Sequence, residues 1–219
     1  DVEVSHVEGV LLNELAAGLD FIAHQHAEHL VGGGDVAPVL LKGEDPLAVE
    51  AAAKEAALAA VVDQARTLAT AEPQNPGALI WEGIVLSTLA GEKGGLGALS
   101  LVKESRAALE AALKIDPTAL QGSAHTSLGS LYYQVPGWPI SFGDKDKARK
   151  HLEQALAMNP DGIDPNYFMA GLLHKTGKNS EALKYLDKAA NAPTRPGRQL
   201  ADQGRHREIE ELRKSISED

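Results

Sequence analysis

Three histidines and a glutamate fall within six residues of the segment AHQHAEHL, as His24, His26, Glu28 and His29. Imidazole and carboxylate groups are the ligands that zinc, copper and nickel take from proteins. On a straight helix His24 shares a face with Glu28 and His26 shares one with His29, so no single face presents three ligands. Two hypotheses follow from this segment. In one, the protein binds a metal ion through His24, His26 and His29. In the other, these residues form a solvated helix end.

Aromatic residues are concentrated in one part of the chain. Six of the nine lie between residues 132 and 168, and these are Tyr132, Tyr133, Trp138, Phe142, Tyr167 and Phe168. Aromatic side chains give large contact areas at low entropic cost and are enriched in binding hot spots. They either clamp a loop onto the rest of the fold or contact a partner. The predicted partner contacts are Trp81, Tyr133, Trp138, Phe142 and Tyr167.

Four arginines follow in the segment APTRPGRQLADQGRHR, close to Asp202, and these are Arg195, Arg198, Arg205 and Arg207. One interpretation is an anion site, for which Arg195 and Arg198 are the predicted polar contacts. The other is a salt-bridged anchor that holds the last helix against the preceding repeat.

The segment NPDGIDPN places carboxylate and amide oxygens in a turn, but it lacks the spacing and the closing glutamate of a calcium-binding loop. Asp164 precedes Pro165, and a carboxylate at such a position accepts hydrogen bonds from the free amides of a first helical turn. The sequence therefore predicts that Asp164 caps the helix that carries Tyr167 and Phe168.

No arrangement typical of catalysis is present in the sequence. There is no glycine-rich phosphate loop after a strand, no strained nucleophile turn, and no cysteine to serve as a thiol nucleophile or a thiolate ligand. The formal net charge of −10 comes from residues 1–72, which hold 13 acidic and three basic residues, and this argues against a nucleic-acid partner. The sequence predicts a non-enzymatic protein without a cofactor.

A short pattern recurs along the chain: a leucine, an alanine three residues later and a proline five residues after that. Its instances are Leu68/Ala71/Pro76, Leu109/Ala112/Pro117 and Leu152/Ala155/Pro160, with a related copy that ends at Pro193. Leucine and alanine share a helix face at this spacing, and a proline ends a helix. Each instance predicts the second helix of a repeated pair.

A second helix precedes three of these segments and carries a small residue at its middle, namely Gly83, Gly129 and Ala170. A small residue allows the partner helix to approach closely. The distance from this residue to the alanine of the second helix is 19 residues in the last pair but longer in the two others. Insertions are therefore predicted at residues 91–99 and 135–141, and extra residues of this kind form loops on one face of a helical array.

This pattern of helix, turn, helix and proline resembles the tetratricopeptide repeat (TPR) between Pro76 and Pro193. In general layout the chain is also similar to the TatT proteins, bacterial TPR proteins associated with TRAP-type transporters. The TPR resemblance implies a scaffold that binds a protein or a small ligand. The TatT resemblance implies export to the periplasm, a transporter's binding protein as partner, and a homo-oligomer such as a trimer; a cytoplasmic location is the alternative.

The sequence thus predicts an all-α fold, a TPR-like α-solenoid with an atypical helix pair at its amino end and a capping helix at its carboxyl end. Residues 1–75 are predicted as an acidic helical pair that includes a long helix from Pro46 to Ala71. Residues 76–193 are predicted as three irregular helix pairs. Residues 194–219 are predicted as a loop and a cap helix from Gln199 to Ile216, all within one structural domain. We expect a partner on the face that carries the insertions, and no membrane-spanning segment.

Overall fold

The computed structural model describes residues 46–218, which are about 78% helical and contain no β-strand. Eight helices follow one another in this part of the chain: α1 (Pro46–Ala71), α2 (Pro76–Lys93), α3 (Ala98–Ile115), α4 (Ala119–Gln134), α5 (Lys145–Met158), α6 (Ile163–Lys175), α7 (Asn179–Ala190) and α8 (Gln199–Glu218). The predicted all-α repeat fold is confirmed. The observed bounds of α1 agree with the prediction, and α8 extends two residues beyond the predicted Ile216.

Side chains at two helix starts explain why α2 and α5 begin where they do. The Oδ1 atom of Asn75 accepts hydrogen bonds from the amides of Gly77 and Ala78, at 2.9 and 3.3 Å, while Pro76 occupies the first helical position. Asp144 caps α5 in the same way, since its Oδ1 atom lies 3.0 Å from the amide nitrogens of the second and third helical residues. Asp144 therefore fixes the point at which the second insertion ends.

The small residues at the middle of the first helices determine how closely the pairs pack. A Cβ atom added at Gly83 would lie 2.5 Å from Cγ of Leu109, and one added at Gly129 would lie 2.5 Å from Cγ of Leu152. Real Cβ atoms do not approach other atoms so closely, so each glycine makes room for the leucine of its partner helix. The close approach that the sequence predicts at Gly83 and Gly129 is therefore confirmed.

Helices α2 and α3, α4 and α5, and α6 and α7 pack as three successive pairs. The first helices also contact one another, α2 with α4 and α4 with α6, and α8 continues this row by packing on α6 and α7. Within the described residues, the second helices α3, α5 and α7 make no such contacts with one another. The array is therefore curved, with α2, α4, α6 and α8 on its inner side.

The beginning of α4 departs from regular helix in a way that the sequence does not reveal. Leu120, Gln121 and Gly122 have left-handed backbone angles, with φ of 47°, 55° and 78°. Non-glycine residues rarely adopt this conformation. The regular part of α4 thus starts only after Gly122. A Cβ atom added at Gly122 would lie 2.8 Å from Sδ of Met158, so this position also packs closely against α5.

Candidate functional site

The inner side of the array contains an open groove of about 750 Å3. Its walls come from the carboxyl-terminal parts of α2 and α4, from the first turns of α3, from the first half of α6, and from α8. Both insertions also line it, the first through Gly94, Gly95 and Leu96 and the second through Val135, Pro136 and Ile140. All four inner helices and both irregular loops therefore meet at this one place.

Two exposed apolar side chains stand on the insertions at the rim of the groove. Leu96 is 84% exposed and Ile140 is 61% exposed, and both line the groove. Each belongs to a different insertion, since Leu96 follows α2 and Ile140 follows α4. Large apolar residues left in water are typical of interaction surfaces when they lie together around a concave site.

The aromatic wall of the groove is formed by Tyr167 and Phe168 on α6. Their ring centroids lie 5.2 Å apart at an interplanar angle of 63°. The guanidinium carbon of Arg205, on α8, lies 4.5 Å from the Tyr167 centroid and 4.7 Å from the Phe168 centroid. Because the cation lies against both rings, it fixes the rings in place and holds α8 to α6.

Arg205 belongs to a cluster of ionic groups at the amino end of α6. Its Nε atom donates to Oδ1 of Asp164 at 2.8 Å, and its Nη1 atom pairs with Glu208. Arg195 donates from Nη1 to Oδ2 of Asp164 at 2.6 Å and from Nε to Oδ1 of Asp202 at 2.6 Å. We call Asp164, Arg195, Asp202 and Arg205 the ionic anchor.

The ionic anchor changes the interpretation of Asp164. Burial raises the pKa of its carboxyl group, but the guanidinium groups of Arg205 and Arg195 outweigh burial and hold that pKa below the usual range. The predicted role of Asp164 as a helix cap is wrong, because Gly162 occupies the cap position of α6 without a side-chain cap, and the Asp164 carboxylate binds the two arginines instead. Of the two interpretations of the arginine segment, these contacts favour the salt-bridged anchor.

Two of the predicted contact residues lie inside the array. Trp81 is 8% exposed and packs among the apolar side chains of α1 and α2, with the guanidinium carbon of Arg198 5.1 Å from its ring. Tyr133 is buried between α4 and α6, where an added Cβ atom at Gly171 would lie 2.6 Å from its hydroxyl oxygen. Burial raises the pKa of the Tyr133 phenol to about 12. Both side chains have a packing role that explains their presence.

Trp138 has the opposite environment. It is 90% exposed, at the tip of the second insertion, and it precedes Pro139 in a cis peptide bond. The base of this loop is closed by two backbone hydrogen bonds, from Gly143 N to Pro136 O at 2.9 Å and from Asp144 N to Tyr132 O at 2.7 Å. The indole therefore faces solvent and does not pack into the array.

Phe142 lies at the base of the same loop and joins it to the neighbouring pair of helices. Its ring meets Tyr132 edge to face at 5.6 Å, and the guanidinium carbon of Arg106 lies 4.3 Å from its centroid. These contacts attach the loop to α3 and α4. Of the predicted contact residues, Tyr167 alone lines the groove, while Trp138 lies two residues from the rim residue Ile140.

The structure adds groove residues that the sequence reasoning does not select as contacts, among them Leu96, Leu131, Ile140, Phe168 and Glu208. Leu96 stands between glycines within the first insertion, so its exposure could have been inferred from its place in a loop. The position of Glu208 could not, because it depends on how α8 packs on α6.

The predicted ligands His24, His26 and His29 lie outside the described residues, and the metal hypothesis that rests on them stays a prediction. Within residues 46–218, no group of three or more histidine, aspartate or glutamate side chains could hold a metal ion. In the same part of the chain, no helix is both long enough and apolar enough to span a bilayer.

Comparison with known proteins supports the repeat fold. A tetratricopeptide repeat family model matches residues 140–196, which include α5, α6 and α7. The crystal structure of TTC0263, a thermophilic TPR protein of Thermus thermophilus, is similar with a TM-score of 0.55 and 20% sequence identity. The similarity covers 75% of this chain and 79% of that chain. The fold is of the tetratricopeptide-repeat type.

No curated protein matches the sequence. The comparisons therefore support a TPR-type fold and the interaction role usual for it, with protein partners.

Proposed function

We propose that this protein is a non-enzymatic scaffold that binds an apolar segment of a partner protein in the groove on the inner side of the array. The observation that carries the proposal is the meeting of α2, α4, α6, α8 and both insertions around that groove. Helical arrays present their inner surface to partners, and insertions into repeats usually contribute to the binding face.

The charge of the groove supports an apolar partner over an anionic one. Arg205 is the cation that lines the groove in the described residues, and it is already paired with Asp164 and Glu208. Together with the rest of the ionic anchor, three carboxylates, Asp164, Asp202 and Glu208, pair with the two guanidinium groups of Arg195 and Arg205. This part of the wall therefore has no unpaired positive charge for a phosphate or an acidic peptide. The aromatic wall of α6 and the rim residues Leu96 and Ile140 offer apolar surface instead.

Within this proposal, Tyr167 contacts the bound segment directly, and Trp138 and Phe142 act through the second insertion. Trp138 provides an exposed indole beside the rim, and Phe142 fixes the base of the loop against Tyr132 and Arg106. The contacts of the other predicted residues favour a supporting role, in which they hold the helices that form the groove; these residues are Trp81, Tyr133, Arg195 and Arg198.

Gly91 allows a direct test, because it lines the groove and a Cβ atom added there would meet no atom of the described chain within 4 Å. A Gly91→Trp substitution should fill the groove without disturbing the packing of α2. Gly204→Trp is the matched control, since Gly204 lies on α8 outside the groove lining and also has open space around it. Crosslinked partners of the full chain should be compared for the three proteins by mass spectrometry.

We expect a partner that crosslinks to the unsubstituted chain and to Gly204→Trp but is lost with Gly91→Trp. Equal recovery of the same partner by all three proteins would place binding elsewhere on the surface and overturn the proposal. Circular dichroism of each protein should confirm equal helicity before the comparison is made.

A small ligand is the second candidate occupant, and the size of the groove favours it. Pockets that hold small molecules enclose about 300–1,000 Å3, and a volume of about 750 Å3 lies within this range. The resemblance to the TatT proteins adds a destination to this proposal, in which the chain delivers the ligand to a transporter's binding protein. Native mass spectrometry of protein purified from its own source decides this point, since a ligand should add a defined mass that Gly91→Trp abolishes.

We also propose that the protein acts outside the cytoplasm, in the periplasm or an equivalent exported location. The support is the resemblance in general layout to exported TPR proteins. Fractionation of source cells with an antibody against this chain tests it directly. Recovery in the cytoplasmic fraction would remove both the exported location and the transporter link, while the groove proposal would stand.

A further inference from the structure

The start of α1 lies at the end of the array that carries both insertions, which we call the insertion end. Lys54 in the first half of α1 pairs with Glu92 at 2.6 Å, and Glu55 pairs with Lys93 at 2.9 Å. Glu92 and Lys93 belong to the last turn of α2, directly before the first insertion. Because the last turns of α2 line the groove, the chain that precedes α1 joins the array beside the groove.

Residues 1–45, which we call the amino-terminal segment, precede the described part of the chain. Apolar residues recur in this segment at a spacing that places them on one face of a helix, and these are Val4, Val7, Leu11, Leu15 and Ile22. A segment with an apolar face of this kind is typical of the partners that bind in hydrophobic grooves. The groove offers apolar side chains in Leu96, Ile140 and Phe168. The segment therefore has the chemistry that the groove accepts.

The amino-terminal segment is also strongly acidic, since it holds nine aspartates and glutamates and one lysine. At the insertion end, residues 144–147 and 175–178 together hold four lysines and two aspartates, and all four lysines are exposed. The two stretches lie side by side, because Nζ of Lys145 donates to the carbonyl oxygen of Lys175 at 3.3 Å. This excess of positive charge attracts an acidic segment.

The opposite end of the array has the opposite charge. Its turns, residues 72–75, 116–118 and 159–162, each hold one acidic residue and no basic one. Like charges that face each other across an interface are unfavourable. Electrostatic interactions therefore favour the insertion end over the opposite end as the place where an acidic segment binds.

The amino-terminal segment is long enough to enter the groove. Pro46 lies about 12 Å further along α1 than Lys54, which is level with the last turn of α2. The 23 residues between Ile22 and Pro46 span up to about 75 Å when extended. An inner helix of 18 residues such as α2 is only about 27 Å long. The connecting residues thus allow the apolar stripe to reach any part of the groove.

We propose that the apolar stripe of the amino-terminal segment binds in the groove of its own chain and closes the groove to the partner. The acidic side chains of the segment then lie toward the lysines of the insertion end. The inference rests on the proposed function, because the segment takes the same groove as the partner. A tethered segment has a high effective concentration at its site, so a partner gains access only by displacing it.

Crosslinking from the rim of the groove tests this placement in the full chain. The photoreactive amino acid benzoylphenylalanine replaces Leu96, which is 84% exposed and lines the groove. Leu120 is the matched control position, since it is an exposed leucine at the opposite end of the array. Equal amounts of unlabelled and isotope-labelled protein are mixed, so that crosslinks within one chain are distinguished from those between two chains.

We expect the probe at Leu96 to crosslink to residues 4–22 of the same chain, and the probe at Leu120 not to do so. Leu11→Asp should lower that yield by about tenfold, because it places a carboxylate in an apolar groove. Asn13→Asp is the matched control, since it adds the same charge on the opposite face of the predicted helix and should leave the yield unchanged.

Two outcomes of the crosslinking would overturn the inference. The first is a Leu96 probe that does not reach residues 4–22, or reaches them with a yield that Leu11→Asp leaves unchanged. The second is a crosslink that joins labelled to unlabelled chains, because it would place the segment in the groove of a second copy.

Recovery of the partner separates this inference from the proposed function. We expect Leu11→Asp to increase recovery of a partner that is lost with Gly91→Trp, because the groove is then open in a larger fraction of the molecules. A groove partner recovered equally with and without Leu11→Asp would refute the closure and leave the proposed function standing. Crosslinks to residues 4–22 without any groove partner would support the closure and count against the proposed function.

Discussion

The two tryptophans of this chain occupy opposite kinds of environment. Trp81 is 8% exposed within the helices of the array, whereas Trp138 is 90% exposed on a loop inserted into it. Residue type alone predicts both as partner contacts. The difference between them shows that the place of an aromatic residue in the repeat decides its role.

Sequence position accounts for this difference. Trp81 lies two residues before Gly83, within the regular spacing of a first helix, where a large side chain is expected in the core. Trp138 lies between prolines and glycines that interrupt that spacing. The regular helices, which we call the spine, therefore use this tryptophan for packing, and the second insertion exposes its tryptophan to solvent.

The largest expected effect tests the spine at Trp81. We expect Trp81→Ala to lower the free energy of unfolding by about 3–5 kcal/mol, because it removes a large buried side chain and leaves a cavity between α1 and α2. Chemical denaturation followed by circular dichroism measures this loss, and Trp81→Phe should show a smaller one. A loss below about 1 kcal/mol would contradict the assignment of Trp81 to the core.

The ionic anchor gives the next largest effect. We expect Asp164→Asn to lower the free energy of unfolding by about 2 kcal/mol at neutral pH, because two arginines lose their shared carboxylate. Asp161→Asn, in the preceding turn and exposed, is the matched control.

The same substitution has a pH dependence of known sign. The folded pKa of Asp164 is lowered, so its stabilisation is present above the unfolded value of about 3.9 and is lost as pH falls through the folded value. The stability difference between the unsubstituted chain and Asp164→Asn should therefore be constant near pH 6 and shrink below about pH 4. A difference that grows in acid would show that the carboxylate is not held ionised by the arginines.

A third prediction concerns the base of the second insertion. A Cβ atom at Gly143 would lie 2.0 Å from the carbonyl oxygen of Val135, so Gly143→Ala should force the loop open at a cost of about 1–2 kcal/mol. Hydrogen exchange at Asp144, whose amide donates to Tyr132, should become faster. Gly91→Ala, which meets no neighbouring atom of the described chain, should leave exchange in the loop unchanged.

The smallest effect on stability is expected at Trp138. Trp138→Ala should change the free energy of unfolding by less than about 0.5 kcal/mol, since the side chain is in water. The same substitution should weaken capture of the partner protein, defined as the one that crosslinks to the unsubstituted chain and is lost with Gly91→Trp. Full retention of that partner would restrict binding to the groove and exclude the loop tip from it.

The fold is readable from the sequence because its determinants are local. Pro76 and Asn75 mark a helix start, and Gly83 and Gly129 mark the closest approach between paired helices. The left-handed turn at Leu120 is not readable, because nothing in the residue types there requires it. It becomes visible only in the packed array.

The candidate site is less readable because it depends on packing between distant residues. The contact of Arg205 with Tyr167 and Phe168 joins positions almost forty residues apart, and it arises from the way α8 lies on α6. The spacing of the sequence predicts that Asp164 caps its own helix, because the distant partners of its carboxylate are not visible there. Those partners, Arg195 and Arg205, come from the segments that follow α7. Residue spacing in the sequence predicts the contacts within a helix pair. It does not predict the curvature of the array, which brings α2, α4, α6 and α8 around one groove.

The two hydrogen bonds at the base of the second insertion have a consequence for protein engineering. They hold the base of the loop at Pro136 and Gly143, the ring of Phe142 packs there against Tyr132 and Arg106, and Asp144 starts α5 on its own. The residues from Gly137 to Ser141 thus form a cassette between two fixed ends. We expect that a recognition peptide of the same length can be grafted there, in exchange for the native tip, to redirect the scaffold to a new target.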